Sequence, residues 1–389
     1  MNQALNIIAF AGFGSSLFIR SVDPAIPQIA ADLHVEVATA ALLSTAFAIP
    51  YAFVQPVLGG AADVLGKTRT MNACMVVLIL ASLIGAVATS FPLLFATRVL
   101  AGIASGGIFP IALALVGDLV PVAQRQVAIG RLLGAAMAGN LLGVSAAGVI
   151  ADLIGWRGVF VATGIAGLAV LASTFIGLRG IKTEAAHGGF ASVIPNYRAI
   201  LANPLAKYCF GAVLVEGIFL FGVFPHVAAL LHAEGETRAS IAGLVIAGFS
   251  IGGVLYTFAI GWLLGAFGQR AMMLAGGTLM GLGLVIVGLN TPWQAEFAAF
   301  FMLGIAFYSL HGTIHVYVTE LAPNARGAAT ALHSSFFFFG QAVGPIYYGF
   351  AFGHIGVLPA LALGGAAVVM AGVVCAFTLR HAPPPGQGP

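Results

Sequence analysis

Apolar stretches of about 20 residues recur along almost the whole chain, separated by short polar connections. A helix of that length crosses the hydrocarbon core of a bilayer, which is about 30 Å thick. The stretches are continuously apolar rather than alternating, so they do not fit membrane-spanning strands, and backbone groups in lipid must then be paired within helices. The sequence therefore predicts an all-α membrane protein.

Twelve such stretches can be counted, and only 7% of the residues are charged, against roughly 25% in a soluble domain. Each stretch predicts one transmembrane helix. The predicted spans are residues 4–22, 38–57, 71–90, 93–116, 128–150, 158–178, 207–230, 240–264, 271–290, 296–318, 328–352 and 357–379.

The longest polar stretch, residues 179–206, separates six predicted spans from six. Ordered matches relate the two halves at a nearly constant offset. Gly102 matches Gly304 at an offset of 202, and Asn140 matches Gln341 at 201 after one deleted residue. Such a series predicts that the two halves are related by duplication. We expect an N-terminal six-helix bundle (1–178), a cytoplasmic linker (179–206), a C-terminal six-helix bundle (207–380) and a cytoplasmic tail (381–389).

Basic residues favour one side of the membrane, which predicts the orientation. With the N-terminus in the cytoplasm, eleven lie on the cytoplasmic side, three lie at the outer side, and Arg98 lies within a span. Both termini are then cytoplasmic. The eleven are Lys67, Arg69, Arg125, Arg131, Arg179, Lys182, Arg198, Lys207, Arg270, Arg326 and Arg380, and the three are Arg20, Arg157 and Arg238.

Three segments carry a family resemblance. Residues 59–69 (GGAADVLGKTR) resemble the loop signature of the major facilitator superfamily, with Val64 where the family usually has a base. Residues 98–102 resemble its Arg-containing fourth-span segment, and residues 139–148 resemble its antiporter segment, with Val144 in place of Pro. Prolines at 24 and 27 are similar to those of the drug/proton antiporter branch.

This resemblance implies two pseudo-symmetric six-helix bundles around a central cavity that opens alternately to either side. It implies a monomer in a bacterial inner (plasma) membrane that exports small, drug-like, partly lipophilic compounds by proton antiport. The alternative is a metabolite or sugar exporter, or a proton-coupled uptake symporter, on the same fold. The residues expected in the conformational-switch loop are Gly59, Asp63, Gly66, Lys67, Arg69, Asp118 and Arg125.

Glu216 is the clearest candidate for proton coupling. It lies nine residues beyond Lys207, so at about 1.5 Å per residue it sits roughly 14 Å deep in the bilayer. Intramembrane carboxyl groups by default indicate function, as a proton carrier or as the counter-charge of a cationic substrate. The alternative is an acid paired structurally with an Arg or His across the bundle.

Arg98 and Asp23 are the other coupling candidates. Arg98 has no counterpart in the second half, where Phe300 occupies the equivalent position, and a structural role holding helix carbonyls or Asp23 is the alternative. Arg20 and Asp23, three residues apart, are expected to form an exposed pair at the outer end of the first span. We expect Arg20 to snorkel to the interface, with Asp23 as a possible second protonatable site.

Cavity-lining candidates are the polar and aromatic residues at mid-span. Asn140 and Gln341 occupy equivalent positions, and Tyr51 can join an aromatic wall with members of the Phe336–Phe339 run. His311 and His315 share a helix face, but two His without a third ligand make a weak metal site, so we expect neither a metal nor a cofactor. Interhelical hydrogen bonds are the alternative for these polar groups.

Other function classes find little support in the sequence. An enzyme would need a nucleophile with its base, or a metal triad, gathered at one depth, and no such set is evident. A channel would need a filter-like interruption of a span. The basic residues are spread over loops rather than forming a patch, which argues against nucleic-acid binding. The expected partners are a small-molecule substrate, protons and the lipid bilayer.

Overall fold

The computed structural model describes residues 2–180, 193–322 and 325–379, so the predicted tail and much of the predicted linker lie outside the described residues. Within these ranges the regular structure is entirely helical, which confirms the all-α prediction. The α-helices are α1 Asn2–Leu17, α2 Ile26–Asp32, α3 Val37–Leu65, α4 Lys67–Ala86, α5 Phe91–Leu119, α6 Val122–Gly177, α7 Val193–Ala202, α8 Ala206–Val215, α9 Val227–Ala233, α10 Ala239–Val287, α11 Trp293–Leu321, α12 Arg326–Ile355 and α13 Val357–Thr378.

Eight helical segments in the described ranges are long and apolar enough to cross a membrane. Two of them belong to α6 and α10, which have 56 and 49 residues and are each broken at a glycine. The predicted spans follow the order of these helices, with spans 5 and 6 in α6 and spans 8 and 9 in α10. The count of twelve crossings stays a prediction, because α1 and α12 are not among the eight.

The two halves have similar backbone conformations at their sharpest turns. Gly155, which breaks α6, has φ 79°, and Gly356, 201 positions later, has φ 87°. Gly66 and Gly268, 202 positions apart, have φ 96° and 73°. L side chains rarely adopt such angles, which explains glycine at each corresponding turn. The offsets read from the sequence are thus matched by equivalent backbone conformations.

Helix packing repeats in the same way. A Cβ added at Gly139 of α6 would overlap the carbonyl oxygen of Phe13 in α1, and one added at Gly340 of α12 would overlap that of Leu214 in α8. Both residues of the second contact lie 201 positions after those of the first. Close helix approach at small residues is a common packing mode in membranes, and here each half uses it at the same place.

The two halves meet at one end of the molecule, here called the far end, where α1 ends. A Cβ at Gly148 of α6 would overlap the backbone of Ala239 in α10, and the equivalent Gly349 of α12 faces Ala38 in α3. The contact of α6 with α10 at Gly148 and Ala239 is called the far-end seam. Asp152 adds a charged group to it, because its carboxylate accepts hydrogen bonds from the backbone N–H groups of Ala239 and the following residue, both at 2.8 Å.

The halves separate toward the opposite end, here called the near end, where α1 begins. In α6, an added Cβ at Gly130 or Gly134 would meet no atom of a neighbouring helix within 4 Å among the described residues. In α10, Gly261 and Gly265 are equally open. The same pair of helices is therefore in contact at the far end and apart at the near end, so the space between the halves opens to the near end.

Two predicted spans differ from the structure. The first was expected to continue to residue 22, but α1 ends at Leu17 and the chain turns before a 3₁₀ turn at Asp23–Ala25. The seventh is not one continuous helix: α8 is followed by a π-helical segment, Glu216–Leu220, and a 3₁₀ segment, Phe221–His226. π-helical turns often occur at functional sites, and this one begins at a buried glutamate.

Candidate functional site

A cavity of about 250 Å³ lies between the two halves. Both halves contribute to it, through α1, α3, α5 and α6 on one side and α10, α11 and α12 on the other. Tyr51 and Asn140 line it, and the side-chain oxygen of Asn140 has no hydrogen-bond partner among the described residues. The lining residues are Ser16, Ile19, Tyr51, Gln55, Phe109, Leu133, Ala136, Met137, Asn140, Phe249, Ser250, Tyr308, Ser334 and Phe338.

Glu216 forms a buried carboxyl–imidazole pair in the second half. One of its oxygens, Oε2, lies 2.7 Å from Nδ1 of His311, and the residue has no solvent exposure. The ring of His333 lies 4.7 Å from that of His311 and 4.8 Å from that of His315, measured between ring centres. Glu216, His311, His315 and His333 are called the acid–histidine centre below.

Two polar atoms of this centre have no hydrogen-bond partner among the described residues: Oε1 of Glu216 and Nε2 of His333. A buried polar atom without a partner is costly, so such atoms in a native protein call for an explanation. A carboxyl and an imidazole that share a hydrogen bond can hold one proton between them and accept another. The arrangement can therefore take up and release protons inside the membrane.

His333 was missed by the sequence interpretation, although a histidine within a predicted span is itself a signal. It lies on α12, and only the packing of α12 against α11 brings it to the two histidines of α11. No group of three or more His, Cys, Asp or Glu side chains in the described ranges has the arrangement of a metal site.

A second polar centre lies at the far end. Arg20 donates a hydrogen bond to Asp23 at 3.2 Å, and the hydroxyl of Ser44 donates to the same carboxylate at 2.7 Å. Arg20 also donates to the side-chain oxygen of Gln341 on α12, which joins the two halves. These four residues, Arg20, Asp23, Ser44 and Gln341, are called the ion-pair centre below.

The expectation of an exposed Arg20–Asp23 pair is wrong. Their side chains are 6% and 0% exposed, because the chain leaves its helix at Leu17 and turns inward instead of continuing to the interface. The Arg20 guanidinium also lies 5.1 and 4.9 Å from the ring centres of Phe221 and Phe224. Burial between the halves thus replaces the predicted snorkelling.

Arg98 holds the turn that follows α1. It donates to the carbonyl oxygens of Phe18 at 3.2 Å, Ile19 at 3.4 Å and Leu43 at 3.4 Å, and its guanidinium lies 4.5 Å from the ring centre of Phe47. This is the structural role that the sequence left open as the alternative to proton coupling. Its contacts connect α5 with α3 and with the turn that carries the ion-pair centre.

One face of α12 connects the two polar centres. His333, Phe337 and Gln341 recur every four residues along it, so they share a helix face. The Phe337 ring lies 5.0 Å from that of Phe221, over which Arg20 is placed. Gln341, His311 and His315 are not among the lining residues of the cavity; they belong to the two centres instead.

The predicted switch loop lies at the near end. Gly66 ends α3, and Lys67, at the start of α4, forms an ion pair with Asp118 of α5 at 2.7 Å. Arg125 donates to the carbonyl oxygen of Val120 at 3.0 Å, and Arg69 is exposed. Gly59 and Asp63 lie in α3, and the surroundings of these two residues fall outside the described part of the structure.

Comparison with known proteins gives a family and a fold. A family model described as Major Facilitator Superfamily matches residues 8–237 and 217–389. The chain is 24% identical to multidrug resistance protein 2 of Bacillus subtilis (89% of this chain, 86% of that protein). It is 27% identical to the chloramphenicol resistance protein of Streptomyces lividans (96% and 94%) and 25% identical to the quinolone resistance protein NorA of Staphylococcus aureus strain COL (96% and 96%).

Solved structures of transporters share the fold. A bacterial homologue of the human lysosomal transporter Spinster, in an inward-facing and unoccupied conformation, matches with a TM-score of 0.68 at 20% identity, over 96% of this chain and 94% of the other. The D-xylose–proton symporter matches with a TM-score of 0.72 at 14% identity, over 96% of both chains. These identities establish a common fold.

Proposed function

Because the chain belongs to the major facilitator superfamily of membrane transporters, we propose that it exports small, partly lipophilic organic compounds in exchange for protons. It is a multi-pass membrane protein that moves a small molecule, not an enzyme. The observation that carries the proton-antiport proposal is the Glu216–His311 hydrogen bond. It supports the proposal because a carboxyl and an imidazole that share a hydrogen bond can carry an exchangeable proton, and His311 is three residues from Tyr308 of the cavity lining.

We identify the near end with the cytoplasm, in line with the distribution of basic residues. The described conformation then admits a substrate from the cytoplasm. Opening to the other side requires the far-end contacts to separate, including the hydrogen bond from Arg20 to Gln341 and the seam at Gly148 and Ala239. Glu216 takes up a proton from outside in that second state and releases it to the cytoplasm in the first. Asp23 is a second candidate for protonation.

Export, rather than uptake, is supported by the names of the relatives. Three of them are named for resistance to drugs, quinolones or chloramphenicol. We further propose that the switch-loop residues at the near end, where Lys67 is paired with Asp118 of the same half, take part in the conformational change. Each chain supplies both halves of the pathway, so we propose that the monomer is the transport unit.

The test is growth of an efflux-deficient bacterium that expresses the wild type, Glu216→Gln or Glu236→Gln at matched surface levels. The panel contains uncharged antibiotics, lipophilic cations and sugars. We expect the wild type to protect against some of the antibiotics, and Glu216→Gln to remove that protection because the amide cannot carry a proton. Glu236→Gln is the matched control, since Glu236 lies in the loop between α9 and α10.

Two outcomes would contradict the proposal. Absence of protection against every compound would favour a dedicated metabolite or sugar carrier on the same fold. Equal protection by the wild type and Glu216→Gln would mean that another group carries the proton.

A further inference from the structure

We propose that the central cavity binds uncharged aromatic molecules that carry a hydroxyl or amide group, and not lipophilic cations or anions. This inference rests on the proposed function and names its substrate class. Among the fourteen lining residues, seven are polar, and all seven carry a hydroxyl or a carboxamide. They are Ser16, Tyr51, Gln55, Asn140, Ser250, Tyr308 and Ser334.

The described lining contains no charged residue, and three buried charged groups outside it are bonded to other groups. Glu216 has no exposed surface and is bonded to His311. Arg20 and Asp23 neutralise each other at the far end. The described lining therefore offers a cationic or anionic substrate no opposite charge to offset the water that it gives up where it contacts the walls, which is unfavourable. An uncharged molecule has no such penalty.

The walls favour an aromatic ring. Tyr51 of the first half and Phe338 of the second lie with ring centres 4.0 Å apart, and the other rings of the lining are Phe109, Phe249 and Tyr308. Aromatic side chains bind rings well in stacked or edge-on arrangements. A dry cavity of about 150 Å³ holds benzene, so the 250 Å³ here accommodates a ring with a short polar substituent.

Asn140 supplies a polar anchor for that substituent. Its side-chain oxygen is buried and without a hydrogen-bond partner among the described residues. A hydroxyl or amide N–H of the substrate can donate to this oxygen and remove the penalty of leaving it unpaired. The hydroxyls of Ser16 and Tyr51 and the amide of Gln55 are further partners within the same lining.

An uncharged substrate has a second measurable consequence. Exchanging a neutral molecule for protons moves net charge across the membrane, whereas exchanging a monovalent cation for one proton moves none. Transport of the uncharged substrate must then respond to the membrane potential as well as to the pH gradient. For one elementary charge, a membrane potential of about 100 mV changes the accumulation ratio roughly fiftyfold.

The experiment uses the purified full-length chain with two probes: chloramphenicol, which is uncharged, and tetraphenylphosphonium, a lipophilic cation. Binding is measured in detergent for the wild type, Asn140→Leu and Asn6→Leu. Transport of both probes is measured in proteoliposomes with an imposed pH gradient, with and without a membrane potential. Asn6 is exposed on α1 and outside the cavity, so it is the matched control.

We expect the wild type to bind chloramphenicol more tightly than tetraphenylphosphonium, and Asn140→Leu to weaken chloramphenicol binding about tenfold through the loss of one hydrogen bond. Asn6→Leu should bind like the wild type. Tighter binding of the cation, or unchanged chloramphenicol binding by Asn140→Leu, would overturn the inference. Proton-driven transport that prefers the cation would also overturn the inference, but it would leave the proposed function intact. Failure of the pH gradient to drive either probe would instead overturn the proposed function.

Discussion

The polar centres of the two halves differ although the halves share a backbone plan. At the offset of 201 that relates the packing of α1 to that of α8, Arg20 and Asp23 of the ion-pair centre correspond to Phe221 and Phe224 in the second half. Conversely, Glu216 corresponds to Ser15 in the first half. Each half therefore keeps charged groups at positions where the other has apolar or neutral ones. The duplicated backbone was retained while the chemistry of the two halves diverged.

The two centres also differ in how completely their groups are paired. The Asp23 carboxylate accepts from both Arg20 and Ser44, and Arg20 continues to Gln341 in the other half. Glu216 has one bonded and one unpartnered oxygen among the described residues. A centre whose polar atoms are all hydrogen-bonded resists rearrangement. A centre with an unpartnered oxygen can bind a proton at that oxygen with little structural change. We therefore propose that the ion-pair centre of the first half holds the far end closed and that the acid–histidine centre of the second half exchanges the proton.

The largest expected effect tests this difference through stability. Asp23→Asn should lower the free energy of unfolding by about 3–5 kcal/mol, because it leaves the buried Arg20 charge without its counter-charge. Glu216→Gln should lower it by less than about 1 kcal/mol, since the neutral amide can keep a hydrogen bond to His311. Unfolding of both purified variants by denaturant titration in micelles checks the order. Equal losses would remove the distinction between the centres.

A conformational effect of intermediate size is expected at the far-end seam. A Cβ at Gly148 would overlap the backbone of Ala239, so Gly148→Ala should push the halves apart there. Overpacking of this kind costs about 1–3 kcal/mol, which corresponds to a shift of about 5- to 150-fold in the equilibrium between the closed and the open far end. Gly130→Ala in the same helix is the matched control, because its added Cβ would meet no neighbouring helix within 4 Å in the described part of the chain.

Cysteine labelling can measure this shift. Thr45 is buried at the far end and donates across the halves to the carbonyl oxygen of Ala342 at 2.7 Å. With Thr45→Cys in both backgrounds and the three native cysteines replaced, a membrane-impermeant maleimide should react about tenfold faster in the Gly148→Ala protein than in the Gly130→Ala protein. Equal rates would show that the seam does not control access to the far end.

Much of the fold could be predicted from the sequence because it depends on local, repeated signals. Apolar length located the helices, and the offset between matching glycines located equivalent turns, as at Gly155 and Gly356. The break after α8 was not visible, since Glu216–Leu220 is as apolar as a continuous helix apart from its glutamate. At this segment Gly217 packs against α12 so closely that an added Cβ would overlap the backbone of Phe337.

The candidate site was predictable only as a set of residue types. An intramembrane carboxyl marked Glu216, but its histidine partner depends on helix rotation, which uniformly apolar spans do not encode. His333 was missed for the same reason. Arg20 was misplaced because its depth was judged from its distance to the end of a helix that in fact stops earlier, at Leu17. Contacts between helices, not properties of single spans, determine these features.

The smallest expected effect concerns an exposed ion pair of the second half, between α9 and α10. The side chain of Arg238 donates to Glu236 at 2.8 Å and its backbone N–H at 3.1 Å, which lowers the pKa of Glu236 from 4.5 to about 2. A pKa depressed by folding stabilises the folded state above pH 4.5, and this contribution is lost as the pH falls toward 2.

Exposed pairs contribute little, so Glu236→Gln should change the unfolding temperature at pH 7 by no more than about 2 °C, and high salt should reduce that difference. Thermal unfolding of the wild type and the variant at pH 7 and pH 3, each at low and high salt, measures it. The difference should shrink at pH 3. A decrease in unfolding temperature as large as that caused by Asp23→Asn would contradict the comparison of the two centres. It would mean that a surface pair, and not the buried ion-pair centre, holds the far end together.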